Sequence, residues 1–289
     1  MTAAPHGGHR DAATPAASAP PAGGGLRRAL DHGWVMTVRN LQHDVRAPAE
    51  VLLSLCVPLM MVLVFGYVFG AGMAHPGTGG PEGFRTFLMP GIFVMAMLYS
   101  VSATATGVAQ DADKAVIGRF RSMPMASSAL LTGRAAADML RALLETGVLV
   151  GCGLLIGWNW LGTAGEALQA VGLLLLFRFA MTWVGIYLGL AVRDPSLVGL
   201  VVYPLAFPLG VLSTTFTPPQ LMPAPLAVVA EWNPVSSVVN AARELFGNPG
   251  VGGGSWVAQH ALPMAVLWPL AILAVCVPPA VARFRRLSR

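Results

Sequence analysis

Six stretches of about 20 residues are predominantly apolar, and this feature limits what the chain can fold into more than any other. A run such as VLLSLCVPLMMVLVFGYVFG, residues 51–70, is long enough to cross a hydrocarbon layer of roughly 30 Å as a helix. Only 11% of the 289 residues are charged, whereas an ordinary soluble protein carries roughly 25%. The sequence therefore predicts an all-α, polytopic membrane protein with six transmembrane helices, at about 51–70, 86–109, 135–157, 167–191, 197–216 and 261–282.

The residues ahead of the first span divide into a tail and a helix. Residues 1–25 are rich in Ala, Pro and Gly and lack an apolar core, which predicts a disordered cytoplasmic tail and no secretory signal. Residues 26–289 then form one transmembrane domain. Before Pro48 the apolar residues recur at helical spacing, so we expect an amphipathic helix at the membrane surface, although a short soluble helix fits the same pattern. Its residues include Trp34, Val38, Arg39, Leu41 and Arg46.

The basic residues indicate the orientation in the membrane. Of the 18 lysines and arginines, 14 fall before the first span, between spans two and three, between spans four and five, or after the last span. These segments share one side of the membrane, whereas the loops of the other side carry Arg85 and Arg243. Because cytoplasmic segments are enriched in Lys and Arg, we expect a plasma-membrane protein with both termini in the cytoplasm.

About 44 residues separate spans five and six on the outer side, and they are too apolar for a plain loop. We expect short outer helices here, which either dip into the outer leaflet or pack against protein. Asn233 followed by Pro234 is a suitable cap and first residue for one of them. The apolar face of that helix comprises Val235, Val238, Val239, Ala242, Leu245 and Phe246.

The chain lacks the motifs that enzyme chemistry would need. A phosphate-binding GxxxxGK loop is absent, and Lys114 is the only lysine. There is also no HExxH and no clustered Cys/His pattern, so we predict no metal site, no cofactor in this chain and no enzymatic activity of its own. The three cysteines, each alone in an apolar run, are interpreted as small core hydrophobes. The net charge of +5 is explained by topology, so no nucleic-acid partner is expected.

Four ionisable residues fall inside the third and fourth spans: Asp138, Arg141, Glu145 and Arg178. Counted from the cytoplasmic ends of two antiparallel spans, Glu145 and Arg178 reach similar depth. An unpaired Arg near the bilayer centre costs roughly 2.5–3.5 kcal/mol, so we predict an intramembrane ion pair between these two residues. Arg141 is a competing partner for Glu145 at i, i+4, and Arg178 facing a polar conduit to contact an anionic substrate is the functional alternative.

The loop between spans two and three mixes charge with apolar residues. Pro124 ends a predicted helix with two faces. The apolar face comprises Val116, Ile117, Phe120 and Met123, and the basic residues elsewhere on the helix are Lys114, Arg119 and Arg121. This pattern fits a short cytoplasmic helix that docks into a partner, and it also fits a solvated loop that only sets topology.

Several stretches, in order and spacing, resemble the ABC-2 type permeases, especially the daunorubicin-resistance branch of drug-export permeases. They are RNLQHDVRAPAEVLLSLCVPLMMVLVFGYVFG, FRTFLMPGIFVM, GRFRSMPMASSALLTGRAAADMLR, WVGIYLGLAVRDP and FTPPQLMPAPLAVVAEWNPVSSVVNAARELFG. The resemblance implies two permeases, each engaging a separate ABC ATP-binding subunit that holds the ATP and Mg. It implies that the helix before the first span is a connecting helix and that residues 219–246 close the pathway on the outer side.

The resemblance also implies that residues 113–124 form the coupling helix seated in the ATPase. The start of this loop, DADKAVIGRF, departs from the Glu-rich start that is common in related permeases. The residues carried over to the coupling helix are Asp113, Lys114, Val116, Ile117, Arg119, Phe120, Arg121 and Pro124.

The resemblance therefore implies the permease subunit of an ATP-driven exporter, working by alternating access on a hydrophobic drug, antibiotic or secondary metabolite. Export of a lipid-linked glycan or lipid is the alternative within the family, and an ATP-independent channel or secondary carrier is the alternative outside it. The expected partners are the ATP-binding subunit, a second permease in a homodimer, the lipid bilayer and an amphipathic small molecule. Gly185 and Gly189 have a spacing compatible with close helix contact.

Overall fold

The computed structural model describes residues 48–69, 80–113, 127–192 and 194–287. The first helix, α1, spans Pro48–Leu63 and continues as a π-helical turn at Val64–Phe69. The other long helices are α2 (Gly80–Asp113), α3 (Ser127–Leu155), α4 (Ala164–Val192), α5 (Pro195–Val211) and α9 (Ala261–Leu287). Between α5 and α9 lie a 3₁₀ turn at Pro219–Leu221 and the short helices α6 (Ala224–Trp232), α7 (Pro234–Leu245) and α8 (Trp256–Gln259).

The described residues form helices and connecting turns without a strand, which confirms the all-α prediction for this part of the chain. Within it, three segments are long and apolar enough to cross a membrane: Glu82–Ala112, Ala164–Val192 and Ala261–Arg286. Two apolar helices are shorter, Cys56–Val68 and Pro195–Val211. These helices define a multi-pass membrane protein. The predicted tail 1–25 and the amphipathic helix before Pro48 lie outside the described residues.

Helix α2 occupies the centre of the bundle, with residues 88–98 buried along their whole length. Its close neighbour is α4, which approaches through Gly185 and Gly189. A Cβ at Gly189 would lie 2.5 Å from the carbonyl oxygen of Ala105, and one at Gly185 would lie 2.9 Å from Cβ of Thr104. The two glycines therefore make a close helix contact within the chain, where they let the α2 and α4 backbones come together.

Helix α5 ends earlier than the predicted span 197–216. Pro204 and Pro208 interrupt its hydrogen-bond ladder because proline has no backbone N–H. The last turn closes with the Leu212 N–H donating to the carbonyl of Pro208, and Ser213 Oγ donates to the carbonyl of Gly210 at 2.6 Å. The chain then turns through residues 213–215, which are buried.

The short helices predicted between α5 and α9 are present, as α6, α7 and α8. Asn233 caps α7 as predicted, since its Oδ1 accepts a hydrogen bond from the N–H of Val235 at 2.9 Å. The predicted apolar face is turned into the bundle, with Leu245 at its half-buried edge. The fully buried members of that face are Val235, Val238, Val239, Ala242 and Phe246.

The three cysteines are free thiols, and the prediction that all of them belong to the core is wrong for Cys56. Cys56 is exposed, as are its neighbours Val57 and Met60, because this side of α1 faces away from the bundle. Cys152 and Cys276 are half-buried.

Candidate functional site

The bundle has two opposite ends, and each is defined by the contacts made there. At one, which we call the loop end, Arg134 contacts Asp111, and Arg283 donates to the carbonyl of Ala191 at 3.5 Å. The other, which we call the capped end, joins residues 158–162 to residues 246–248. The loop end carries the two helix ends that flank the predicted coupling segment.

Most residues predicted to contact the ATPase lie outside the described part of the chain. Asp113 is the last residue of α2, and its side chain is not among those described. The other coupling residues, Lys114, Val116, Ile117, Arg119, Phe120, Arg121 and Pro124, and the connecting-helix residues Trp34, Val38, Arg39, Leu41 and Arg46, fall outside it entirely.

The structure does bring Glu145 and Arg178 together. Arg178 Nη1 lies 3.3 Å from Glu145 Oε2, and the two side chains are 3% and 14% exposed. Asp138 and Arg141 also interact electrostatically with Arg178, and both interactions are weaker than that of Glu145. A buried guanidinium is tolerated because the Glu145 carboxylate offsets its charge. Arg178 Nε has no hydrogen-bond partner among the described residues.

The charges of α3 form one stripe. Arg134, Asp138, Arg141 and Glu145 are spaced i, i+4, i+7 and i+11, which places them on a single helical face. Asp138 Oδ2 accepts a hydrogen bond from Thr104 Oγ1 of α2 at 2.9 Å. The stripe therefore faces α2 near the loop end and α4 at the middle of the bundle. We call the set of contacts Asp111–Arg134, Thr104–Asp138 and Glu145–Arg178 the polar ladder.

At the other end of the bundle, Arg243 of α7 is completely buried. Its Nε donates to the carbonyl of Phe87 at 2.9 Å, and its Nη2 donates to the carbonyl of Thr215 at 3.0 Å. Nη1 donates to Asn240 Oδ1 at 3.2 Å, and the guanidinium stacks 3.9 Å above the Phe87 ring. Burial lowers the pKa of Arg243 to about 9, so the side chain stays mostly protonated at neutral pH. Arg243 thus ties α7 to α2 and to the end of α5.

Aromatic packing and backbone hydrogen bonds seal the capped end. The rings of Phe93, Trp158 and Phe246 meet edge to face, with centroids 5.1–6.3 Å apart. The N–H of Leu161 donates to the carbonyl of Phe246 at 2.9 Å, and Trp158 Nε1 donates to Asn248 Oδ1 at 3.0 Å. The segment after α7 is therefore fixed to the turn between α3 and α4.

The described polar side chains make ion pairs and hydrogen bonds between helices. Among the described residues, no group of three or more His, Cys, Asp or Glu side chains is placed to hold a metal ion. The contacts that join α2, α3 and α4 run from the loop end to the middle of the bundle.

The sequence alone did not predict that Arg243 is buried or that Asp111 and Arg134 form a pair. Arg243 is assigned by its position alone to a loop on the outer side, and nothing in its neighbours reports that three acceptors converge on it. A signal for the second pair does exist, because Asp111 and Arg134 lie on either side of the connection between two consecutive spans, which enter the membrane from the same side. That connection brings the two side chains to the same end of the bundle.

Comparison with known proteins agrees with this organisation. The family model described as ABC-2 type transporter matches residues 32–246. The chain belongs to this family of transmembrane transport components, whose members depend on a partner subunit for ATP binding.

The chain is also similar to one particular permease. The chain is 30% identical over 220 residues to the Daunorubicin resistance ABC transporter permease protein DrrB1 of Streptomyces coeruleorubidus, an alignment that covers 75% of this chain and 74% of the relative. The alignment shows similarity along most of both proteins.

Proposed function

We propose that the chain is the permease subunit of an ATP-driven exporter, which moves a hydrophobic drug, antibiotic or secondary metabolite out of the cell. The family match over residues 32–246 carries this proposal. The similarity to a daunorubicin resistance permease over 220 residues supports drug export as the particular activity.

We place the loop end of the bundle in the cytoplasm and the capped end outside. Arg134, Arg283, Arg285 and Arg286 lie near the loop end, whereas Arg85 and Arg243 lie near the capped end. The bias of Lys and Arg towards cytoplasmic segments favours this orientation. In it, α1 to α5 and α9 are the six membrane crossings. Helix α3 crosses despite its charges because the polar ladder turns them towards α2 and α4.

We place the ATPase contact on residues 113–124, which connect α2 to α3 on the cytoplasmic side. In this arrangement ATP and Mg bind to the partner subunit, and two permeases assemble with their ATPases around one pathway. Closure of the ATPases on ATP moves the connecting segment, and α2 and α3 follow it. Substrate release then requires the capped end to separate, including the contacts of Phe246 and Asn248.

ATP binding can drive this cycle only if the complex binds ATP with different affinity in the two permease conformations. The permease contributes the path and the difference in substrate affinity between them. An apolar path accepts amphipathic molecules by shape and burial, which fits a drug or secondary metabolite better than a small inorganic ion.

The proposal is tested by isolating the tagged chain from its native membrane in mild detergent and identifying the bound proteins. We expect an ABC ATP-binding subunit to copurify. Arg119→Ala and Phe120→Ala should release that subunit or uncouple its ATP hydrolysis, whereas Arg286→Ala, an arginine neutralised on the same side of the bundle, should leave both unchanged. Purification of the chain free of any ATPase would contradict the proposal and favour a channel or secondary carrier.

A further inference from the structure

The two helices that leave the connecting segment 114–126 are fastened to each other at its neck. Asp111 lies two residues before the end of α2, and Arg134 lies in the second turn of α3. Arg134 Nη1 forms an ion pair with Asp111 Oδ2, with the two side chains 22% and 50% exposed. We call this contact the neck pair.

The backbone is shaped to receive this arginine. Gly107 lies one turn before Asp111 on the same face of α2, and a Cβ there would overlap Arg134 Nη2. The guanidinium therefore rests against the bare backbone of α2 while it reaches the carboxylate. Two independent features, a charge partner and a side-chain-free surface, fix the same arginine.

The contacts above the neck pair continue along α3. One turn further along α3, Asp138 accepts a hydrogen bond from Thr104 of α2, and Glu145 pairs with Arg178 of α4 deeper in the bundle. The neck pair is thus the part of the polar ladder that is nearest to the connecting segment. Any displacement of that segment reaches α2 and α3 through residues next to this pair.

We infer that Asp111 and Arg134 are positioning residues for transport, because they make α2 and α3 move together when the ATPase displaces the segment between them. This inference rests on the proposed function. If the pair is broken, the segment can move without carrying both helices. ATP hydrolysis then continues while the capped end responds less.

The pair is too exposed to contribute much to folding. Partly solvated ion pairs usually stabilise a protein by about 1 kcal/mol or less. The same energy is enough to change a conformational equilibrium, so a coupling defect should appear without loss of the folded protein. A purely structural role would predict the opposite result, lower stability with normal coupling.

The readout should report the capped end without requiring a known substrate. Ser237 lies on α7, the helix that leads into the capped end; it is buried, and its hydroxyl has no hydrogen-bond partner among the described residues. Ser237→Cys therefore introduces a thiol with little disturbance, in a background where the three native cysteines are replaced by alanine. A membrane-impermeant thiol reagent measures its alkylation rate in the reconstituted complex, with and without ATP and vanadate.

We expect ATP and vanadate to raise the alkylation rate in the parent protein. Asp111→Asn and Arg134→Gln should each reduce that ATP-dependent increase by about two- to five-fold. The amount of bound ATPase should not change. The exchanged pair Asp111→Arg with Arg134→Asp should restore the increase, and failure of this double variant to exceed both single variants would overturn the inference.

Two substitutions that alter no charged residue test whether the position of the Arg134 guanidinium matters as well as its charge. Gly107→Ala keeps both charges but displaces the Arg134 guanidinium, so it should also reduce the ATP-dependent increase. Gly147→Ala on α3 is its matched control, since a Cβ at that position meets no atom within 4 Å. Arg286→Gln is the matched control for loss of an arginine. If Asp111→Asn and Arg134→Gln behave like Arg286→Gln, the inference fails while the proposed function stands.

A parent protein without any response to ATP gives a different answer. In that case the capped end is not driven by an ATPase, and the proposed function fails together with the inference that rests on it. The two failures are therefore distinguishable in one experiment.

Discussion

The substitution Gly189→Ala should separate α2 from α4 and destabilise the fold. The added Cβ would lie 2.5 Å from the carbonyl oxygen of Ala105 and 2.7 Å from Cβ of Val108. The first of these atoms is backbone, so the conflict cannot be relieved by turning a side chain, and one helix must move. Overpacking of this kind costs about 1–3 kcal/mol.

The matched control is Gly172→Ala, which lies on the same helix and places its Cβ in open space. Both substitutions raise helix propensity by a similar amount, so the difference between them isolates the conflict with α2. For a chain of this size, about 1–3 kcal/mol corresponds to a Tm lower by roughly 2–12 °C. Thermal unfolding in detergent measures both variants. Equal Tm values for the two would refute the close approach of α2 and α4.

Three further predictions concern single contacts. Either Glu145→Arg or Arg178→Glu should reduce membrane expression, since breaking a buried pair costs about 3–5 kcal/mol, and the two together should restore it; an unrescued double variant would argue against the contact. Gly247→Ala should lower Tm more than Gly250→Ala, because Gly247 has φ +66° and its Cβ would lie 2.6 Å from a backbone nitrogen, whereas Gly250 meets no atom within 4 Å. The Glu231 carboxylate accepts hydrogen bonds from two loop N–H groups; partial burial raises its pKa, but the hydrogen bonds from the Ser255 side chain and from these two N–H groups outweigh that effect and hold the pKa below its ordinary value of 4.5. Protection of those amides against hydrogen exchange should therefore persist above pH 4.5 and fall as the pH drops through the lowered pKa, and pH-independent protection would contradict the assignment.

The parts that follow from local physics were predictable from the sequence. Long apolar runs must become helices because a bilayer leaves no other way to satisfy the backbone. The cap at Asn233 depends on a side chain two residues from its partner. The meeting of Glu145 and Arg178 followed from counting depth along two antiparallel spans, since a buried charge needs a partner at its own level.

The remaining contacts depend on which helices become neighbours, and a single sequence does not show that. The spacing of Gly185 and Gly189 permits close contact with any helix. Only the fold shows that the helix in contact is α2. Arg243 is buried where two elements distant in the chain, α2 and the turn after α5, present carbonyl acceptors to it. Asp111 is an ordinary helix-end carboxylate until α3 places Arg134 beside it.

The composition of the native particle shows whether this chain works together with an ATPase. The chain should be extracted in lipid-containing particles without added partners, and the mass of single particles should be measured together with protein identification. We expect particles that contain two copies of this chain and ABC ATP-binding subunits in equal number. Particles that contain this chain alone, at any copy number, would contradict it.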